Sequence, residues 1–239
     1  MSSNATVVLP GDIIDAHSEG KKSLKLGPGL LQVSSVSASR GQDPIVATRP
    51  GLLKTSEGKN WWIEVNQRRY IPSVGESVVG VIIARHADSY RVDIGSAHLA
   101  TLDALAFEGA SKRNRPNLKV GMLVYARVSL AHRDMDPELQ CFHPSTHKAD
   151  GYGELKEGLM VSCSLGLARS LLLGGNPLLP RIGSQFPFEI AIGINGRVWL
   201  KGSNVLKTAV LARAIEWADS NEGYTESDAQ HWVDLHSDP

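Results

Sequence analysis

Apolar positions in this chain come in short runs up to about residue 142 and in longer, helix-length runs beyond about residue 150. In the first part, Val7-Val8-Leu9 precedes Pro10-Gly11-Asp12, Lys25-Leu26 precedes Gly27-Pro28-Gly29, and Thr48-Arg49 precedes Pro50-Gly51. Pro-Gly pairs at that spacing predict turns between short β-strands. Trp61-Trp62-Ile63-Glu64-Val65 alternates enough for a half-buried strand. Ser34 to Pro44, rich in Ser, Ala and Gly, reads as a mobile loop. Residues 1–71 are therefore expected to form a small β domain.

Residues 72–147 have the rhythm of a small barrel. Strands are expected at Val78 to Ala84, Tyr90 to Ile94, His98 to Leu102, Leu123 to Leu130 and Glu138 to Phe142. Five short strands with a long insertion after the third predict an S1-type OB-fold barrel. The second strand, Ser89-Tyr90-Arg91-Val92-Asp93-Ile94-Gly95, resembles the S1 pattern Gly-Ala-Phe-Val-Asp-Leu-Gly. It departs from that pattern where a typical S1 domain presents a base-stacking aromatic, since Arg91 stands there. The usual strand-three histidine is Thr101. Stacking contributes roughly 1–3 kcal/mol per base, so loss of the platform predicts weaker sequence-tolerant RNA binding. Alternation turns Tyr90 to the other side of the strand.

Residues 148–239 switch to α/β. A strand at Leu159 to Ser164 leads into a helix over Leu165 to Leu173, and Gly174-Gly175-Asn176-Pro177 breaks it. A second short helix over Leu178 to Ser184, strands at Phe188 to Ile192 and Arg197 to Lys201, and a helix from Asn204 to Asp219 follow, the last clear element. Ser203 or Asn204 is its N-cap. The order β-α-α-β-β-α is that of a type I KH domain. Trp232 and Val233 lie in an acidic tail, where they would dock it onto the body or onto another subunit. The fold class is therefore multidomain: mainly β plus α/β, with a small N-terminal β domain, a central S1-type OB barrel and a C-terminal KH domain.

Composition adds little global direction. The 239 residues carry no net formal charge, so no overall field draws the chain to nucleic acid. Positive charge is local. Lys112, Arg113 and Arg115 fall within four residues of the loop Phe107 to Asn117, beside Asn114, and Pro116 restricts the backbone. Such a cluster must project from a surface, because burial would strip each cation of its hydration. Guanidinium forks suit phosphate oxygens, so the loop is a candidate RNA contact, with Arg85, Arg91 and Tyr90 beside it. A solvated loop or one docking an acidic protein fits the charge equally. The two cysteines, Cys141 and Cys163, and an N-terminus without a cationic segment followed by an apolar core lead to the expectation of a reduced intracellular compartment with unpaired thiols. No apolar run approaches the ~20 residues that span a bilayer.

Other motifs point away from catalysis. Gly193-Ile194-Asn195-Gly196 has the spacing of the backbone-clamping loop of KH domains. It lies between two strands rather than two helices, so Gly193, Asn195 and Gly196 are assigned to a structural turn, a tight type I′ hairpin on Asn195-Gly196. The helix–helix junction at 174–177 lacks the second glycine and a neighbouring cation. Cys141, His143, His147 and Cys163 do not follow a paired zinc-ligand spacing, and Asp134-Met135-Asp136-Pro137 reads as a turn. No Walker A loop, nucleophile elbow or zinc-protease helix is present. Neither a catalytic site nor a metal or cofactor is expected.

Several motifs carry a resemblance to a known family. Leu9-Pro10-Gly11-Asp12, Leu26-Gly27-Pro28-Gly29, Arg69-Tyr70-Ile71-Pro72, Ala110-Ser111-Lys112-Arg113-Asn114-Arg115-Pro116 and Gly193-Ile194-Asn195-Gly196-Arg197-Val198-Trp199 resemble the ribosomal RNA-processing protein 40 (exosome component 3) family of RNA exosome caps. The resemblance covers nearly the whole chain. It implies a non-catalytic, RNA-binding subunit that sits on six RNase-PH-like ring proteins beside two other OB-fold caps. Hydrolysis would belong to associated 3′→5′ nucleases. It further implies a role in rRNA processing and RNA turnover, a nuclear and nucleolar location with some cytoplasmic protein, and no membrane partner. The alternative is a stand-alone S1/KH RNA-binding protein of ribosome assembly or translation. An enzyme with its own nuclease site would need clustered metal-binding carboxylates.

Overall fold

The structure, a computed structural model, describes residues 6–15, 24–33, 43–56, 60–65, 67, 69–132, 134–173, 176–221 and 223–236. The chain divides into two compact units, residues 1–66 and 67–239. The first holds two small sheets. One has the order β1 (Thr6–Val8), β6 (Gly51–Ser56), β7 (Asn60–Glu64), β3 (Lys25–Leu26); the other runs β2 (Ile13–Ile14), β5 (Ile45–Ala47), β4 (Leu30–Gln32). Val8, Ile14, Ile45, Ala47 and Ile63 form their core. The strand expected at Thr48-Arg49 ends at Ala47 instead. Thr48 still continues the β4–β5 register for one residue, its amide and hydroxyl both donating to the Gly29 carbonyl at 2.8 and 3.0 Å. Residues 34–42, most of the loop expected from Ser34 to Pro44, lie outside the described residues.

The second unit begins with the barrel. Its strands are β8 (Ser77–Arg85), β9 (Ser89–Asp93), β10 (Ala100–Phe107), β11 (Leu123–His132), β12 (Met135–Cys141) and β13 (Gly153–Leu155). They run β12-β10-β9-β8-β11-β13, and β11–β12 pairing closes the barrel. Alternation does the sorting: Tyr90 and Val92 point inward with Val78, Ile82, Leu102, Val124, Ala126 and Leu139, while Arg91 points out. Asp134 to Pro137, expected as a turn, is largely strand. Ladder pairing passes from His132↔Met135 to Leu130↔Glu138. The irregularity at Asp136-Pro137 lets a proline, which has no N–H, sit in the strand. β13 is an element that sequence reading missed; it pairs with β11 although it lies past residue 147.

The KH part follows as β14 (Leu159–Ser162), α1 (Leu165–Leu172), α2 (Leu178–Gln185), β15 (Phe188–Gly193), β16 (Arg197–Gly202) and α3 (Val205–Ser220). Its antiparallel sheet has the order β14-β16-β15. Ser164 caps α1 by accepting from the Leu167 amide at 3.1 Å, and Asn204 caps α3 by accepting from Lys207 at 2.7 Å. A further helix, α4 (Glu226–His236), replaces the expected acidic tail. Thr225 and Asp228 cap it reciprocally: the Thr225 amide donates to the Asp228 carboxylate, and the Asp228 amide to the Thr225 hydroxyl. Ala229, Trp232 and Val233, spaced three and four apart, carry one face of α4 into the KH core.

Candidate nucleic-acid interface

The site rests on a rigid junction between barrel and KH domain, built by Gly193 to Arg197. Gly193 pairs with Arg197, so Ile194, Asn195 and Gly196 form a three-residue loop in which only Gly196 has positive φ, at 75°. The hairpin is therefore a type I turn followed by a left-handed glycine rather than the expected type I′ turn. Freed from the left-handed corner, the Asn195 side chain turns into the barrel. Its Nδ2 donates to the Val79 and Ile94 carbonyls at 2.8 and 2.9 Å, and its Oδ1 accepts from the Val79 amide at 3.2 Å. The Ile194 amide adds a bond to the Ser77 carbonyl at 2.9 Å. A Cβ on Gly196 would lie 2.5 Å from the Cys163 carbonyl, and one on Gly193 2.5 Å from the Val79 amide. Both glycines are thus set by close backbone approach.

Further contacts tie the barrel to the KH domain, among them the Tyr125 hydroxyl donating to the Ile192 carbonyl at 3.2 Å. Val79, Ala191 and Trp199 form a buried apolar cluster between the domains. Arg197 donates to the Asp93 carboxylate at 2.7 Å and to the Asp93 carbonyl at 2.6 Å. Partial burial pushes the Asp93 carboxyl up, but the Arg197 guanidinium and the Gly95 amide outweigh it and hold the group below the ordinary aspartate range. A depressed folded-state value stabilises the protein above the unfolded value of about 3.9 and is lost as pH falls through the folded one. Asp93→Asn is accordingly expected to lower the melting temperature at pH 7 while flattening its decline below about pH 4. An unchanged acid limb in calorimetry would refute that role.

The basic loop lies between β10 and β11. Its turn is closed twice, by Ser111 N–H to the Asn114 carbonyl at 3.1 Å and Asn114 N–H to the Ser111 carbonyl at 3.0 Å. Lys112 and Arg113 project from it, exposed. Three of the other expected contacts are not free. Arg115 pairs with Asp88 and donates to the Ala87 carbonyl, Arg85 donates to Asn117, and the Tyr90 hydroxyl reaches the Pro116 carbonyl from inside the barrel. Those three side chains brace the loop. Tyr90, 3 % exposed, cannot stack on a base. At the loop's base the Ala149 amide donates to Glu108 at 2.6 Å.

On the outer face of β9, Arg91 donates from Nη1 to Thr101 and to Asp136, each at 2.9 Å. The structure thus brings together Lys112, Arg113 and Asn114 with the struts Arg85 and Arg115, and sets Arg91 apart in an ion pair. Asp88, Asn117 and Asp136 are the partners sequence reading missed. No local spacing announces them, because each lies a loop or a strand away from its cation. At the α1–α2 junction, Gly174 and Gly175 lie outside the described residues. Buried Asn176 accepts from the Leu178 amide at 3.0 Å and from the Tyr224 hydroxyl. Both cysteines are free thiols. Burial, with Asp219 nearby, pushes Cys163 up to about 12, and burial alone raises Cys141.

Comparison with known proteins accounts for this order of domains. The profile of the exosome complex component RRP40 S1 domain matches residues 70–153, that of the KH domain 158–206, and that of the exosome complex exonuclease Rrp40 N-terminal domain 24–69. The exosome complex component rrp40 of Schizosaccharomyces pombe is 48 % identical over 86 % of this chain and 85 % of its own. That of Drosophila melanogaster is 43 % identical over 90 % of both chains, and that of Saccharomyces cerevisiae 36 % over 88 % of both. A crystal structure of an exosome complex RNA-binding protein shares the fold, with a TM-score of 0.58 at 24 % identity over 70 % of this chain and 94 % of that one. With relatives this similar along nearly its whole length, the chain belongs to the Rrp40 family of exosome complex components.

Proposed function

We propose that the protein is a non-catalytic RNA-binding cap subunit of the RNA exosome. In that role it helps assemble the nine-subunit core and guides RNA into the central channel for 3′→5′ processing and degradation. Its partners would be RNA, six RNase-PH-like ring subunits, two other OB-fold caps and the associated nucleases, in nucleus, nucleolus and cytoplasm. Family membership supports the assembly. The observation that carries the RNA contact is the braced loop, where a doubly closed turn presents Lys112 and Arg113 to solvent. A turn whose backbone is already closed loses little main-chain freedom when its cations meet phosphates. The barrel–KH junction would hold that turn in a constant place relative to whatever the KH domain contacts.

Lys112→Ala/Arg113→Ala in a reconstituted nine-subunit complex is expected to weaken single-stranded RNA binding roughly tenfold at low salt. The slope of log affinity against log salt should flatten by about 1.4, or 0.7 for each phosphate that is no longer neutralised. The subunit should stay in the complex, as judged by size-exclusion chromatography. Loss of the subunit from the ring, with RNA binding by the remainder unchanged, would reassign the loop to protein docking.

A further inference from the structure

An OB barrel ordinarily takes an oligonucleotide on the face of its second and third strands and on the loops between strands one and two and between strands four and five. In this barrel the first of those loops and the strand face are occupied by carboxylates. The loop carries Asp88, held by Arg115. The strand face, where Thr101 and Glu138 share a row with Arg91, is walled by Asp103, Asp136 and Glu138, all exposed. Arg91 is the sole cation at an outward position of β9, β10 and β12 among the described residues, and it is already paired. Its Nη1 is divided between Thr101 and Asp136. Asp136 reaches it from the irregular start of β12, where the break in the ladder at Pro137 re-aims the side chain.

Resting on the RNA-binding reading above, we propose that Asp136 is a specificity-determining residue that masks Arg91 and keeps RNA off the barrel's strand face. It acts by position. A carboxylate beside a guanidinium cancels its attraction for phosphate, and the neighbouring Asp103 and Glu138 make the face repel a polyanion. RNA is thereby confined to the edge that carries Lys112 and Arg113. The arrangement also accounts for an arginine in the slot of a stacking aromatic. Locked between Thr101 and Asp136, it closes the platform instead of offering one.

The test uses the full chain and a fluorescently labelled oligouridine, with anisotropy titrations across a series of salt concentrations. Asp136→Asn keeps the side-chain shape and removes the charge, which leaves the positive charge of Arg91 uncancelled. It is expected to tighten binding roughly fivefold at low salt and to steepen the salt slope by about 0.7, the mark of one more phosphate neutralised. Asp136→Glu should restore the unmutated affinity. Arg91→Gln alone should change it less than about twofold, and Arg91→Gln/Asp136→Asn should abolish the tightening. No tightening in Asp136→Asn, or a tightening that persists in the double variant, would overturn the mask. Clearly weaker binding in Arg91→Gln alone would overturn it too, because Arg91 would then already touch RNA. Lys112→Ala/Arg113→Ala measured in parallel separates the two readings. If that pair leaves affinity unchanged while Asp136→Asn still tightens binding, the loop reading fails and the mask stands.

Discussion

Asn195→Ala is expected to melt roughly 6–12 °C below the unmutated protein. The substitution removes three hydrogen bonds from a site 8 % exposed, and it strands the Val79 amide and the Val79 and Ile94 carbonyls in the junction. A buried polar group left unpaired costs about 1–3 kcal/mol, so a loss near 3 kcal/mol is a moderate expectation. For a unit of this size each 1 kcal/mol moves the melting temperature by about 2–4 °C. Asn195→Asp should be at least as damaging, since a carboxylate would face two carbonyls in place of the amide donor. The measurement is differential scanning calorimetry. A shift below about 2 °C would mean that the barrel and KH domain do not depend on this residue for their joining.

Trp199→Ala should cost about 3–5 kcal/mol, the usual range for deleting a buried indole. Trp199 is 5 % exposed, packs with Val79 and Ala191, and donates from Nε1 to the Glu157 carbonyl at 2.7 Å. It differs from its neighbour Leu200, which points the opposite way on β16 into the KH core. Leu200→Ala should therefore destabilise the KH domain, whereas Trp199→Ala should part the domains and split one calorimetric transition into two. A single lowered transition in both variants would show that Trp199 is an ordinary core residue. Because Asn195 and Trp199 both bear on Val79, the double variant should be destabilised by less than the sum of the singles.

The candidate site was legible in kind and illegible in connection. Lys112 to Arg115 announces itself as exposed charge, since four polar residues before a proline have no buried alternative. That Arg115 and Arg85 would brace the loop while Lys112 and Arg113 stayed free depends on Asp88 and Asn117, which the barrel's closure brings alongside. Arg91 shows the same limit. Its odd place in an S1-like strand is plain, yet its pairing with Asp136 requires β12 to lie beside β10 across the closed sheet. The missed α4 is a different case. Thr225 and Asp228 are three apart, ahead of Ala229, Trp232 and Val233 at helical spacing, so its signal was local and was outweighed by the acidic composition of the segment.

Alternation, helical period and turn residues determined most of the strands and helices, the barrel-then-KH order and the exposure of the basic run. These are properties of each segment's own side chains, which choose between water and a core with little reference to distant partners. The motifs likewise determined the family. Tertiary structure decided what each charge is for. Ion pairs and buried amides join residues tens of positions apart, and their strength depends on distance and desolvation, which exist only once the chain has closed. Asn195, read along the chain as a hairpin corner, became the bolt between two domains because the barrel places the Val79 backbone within its reach.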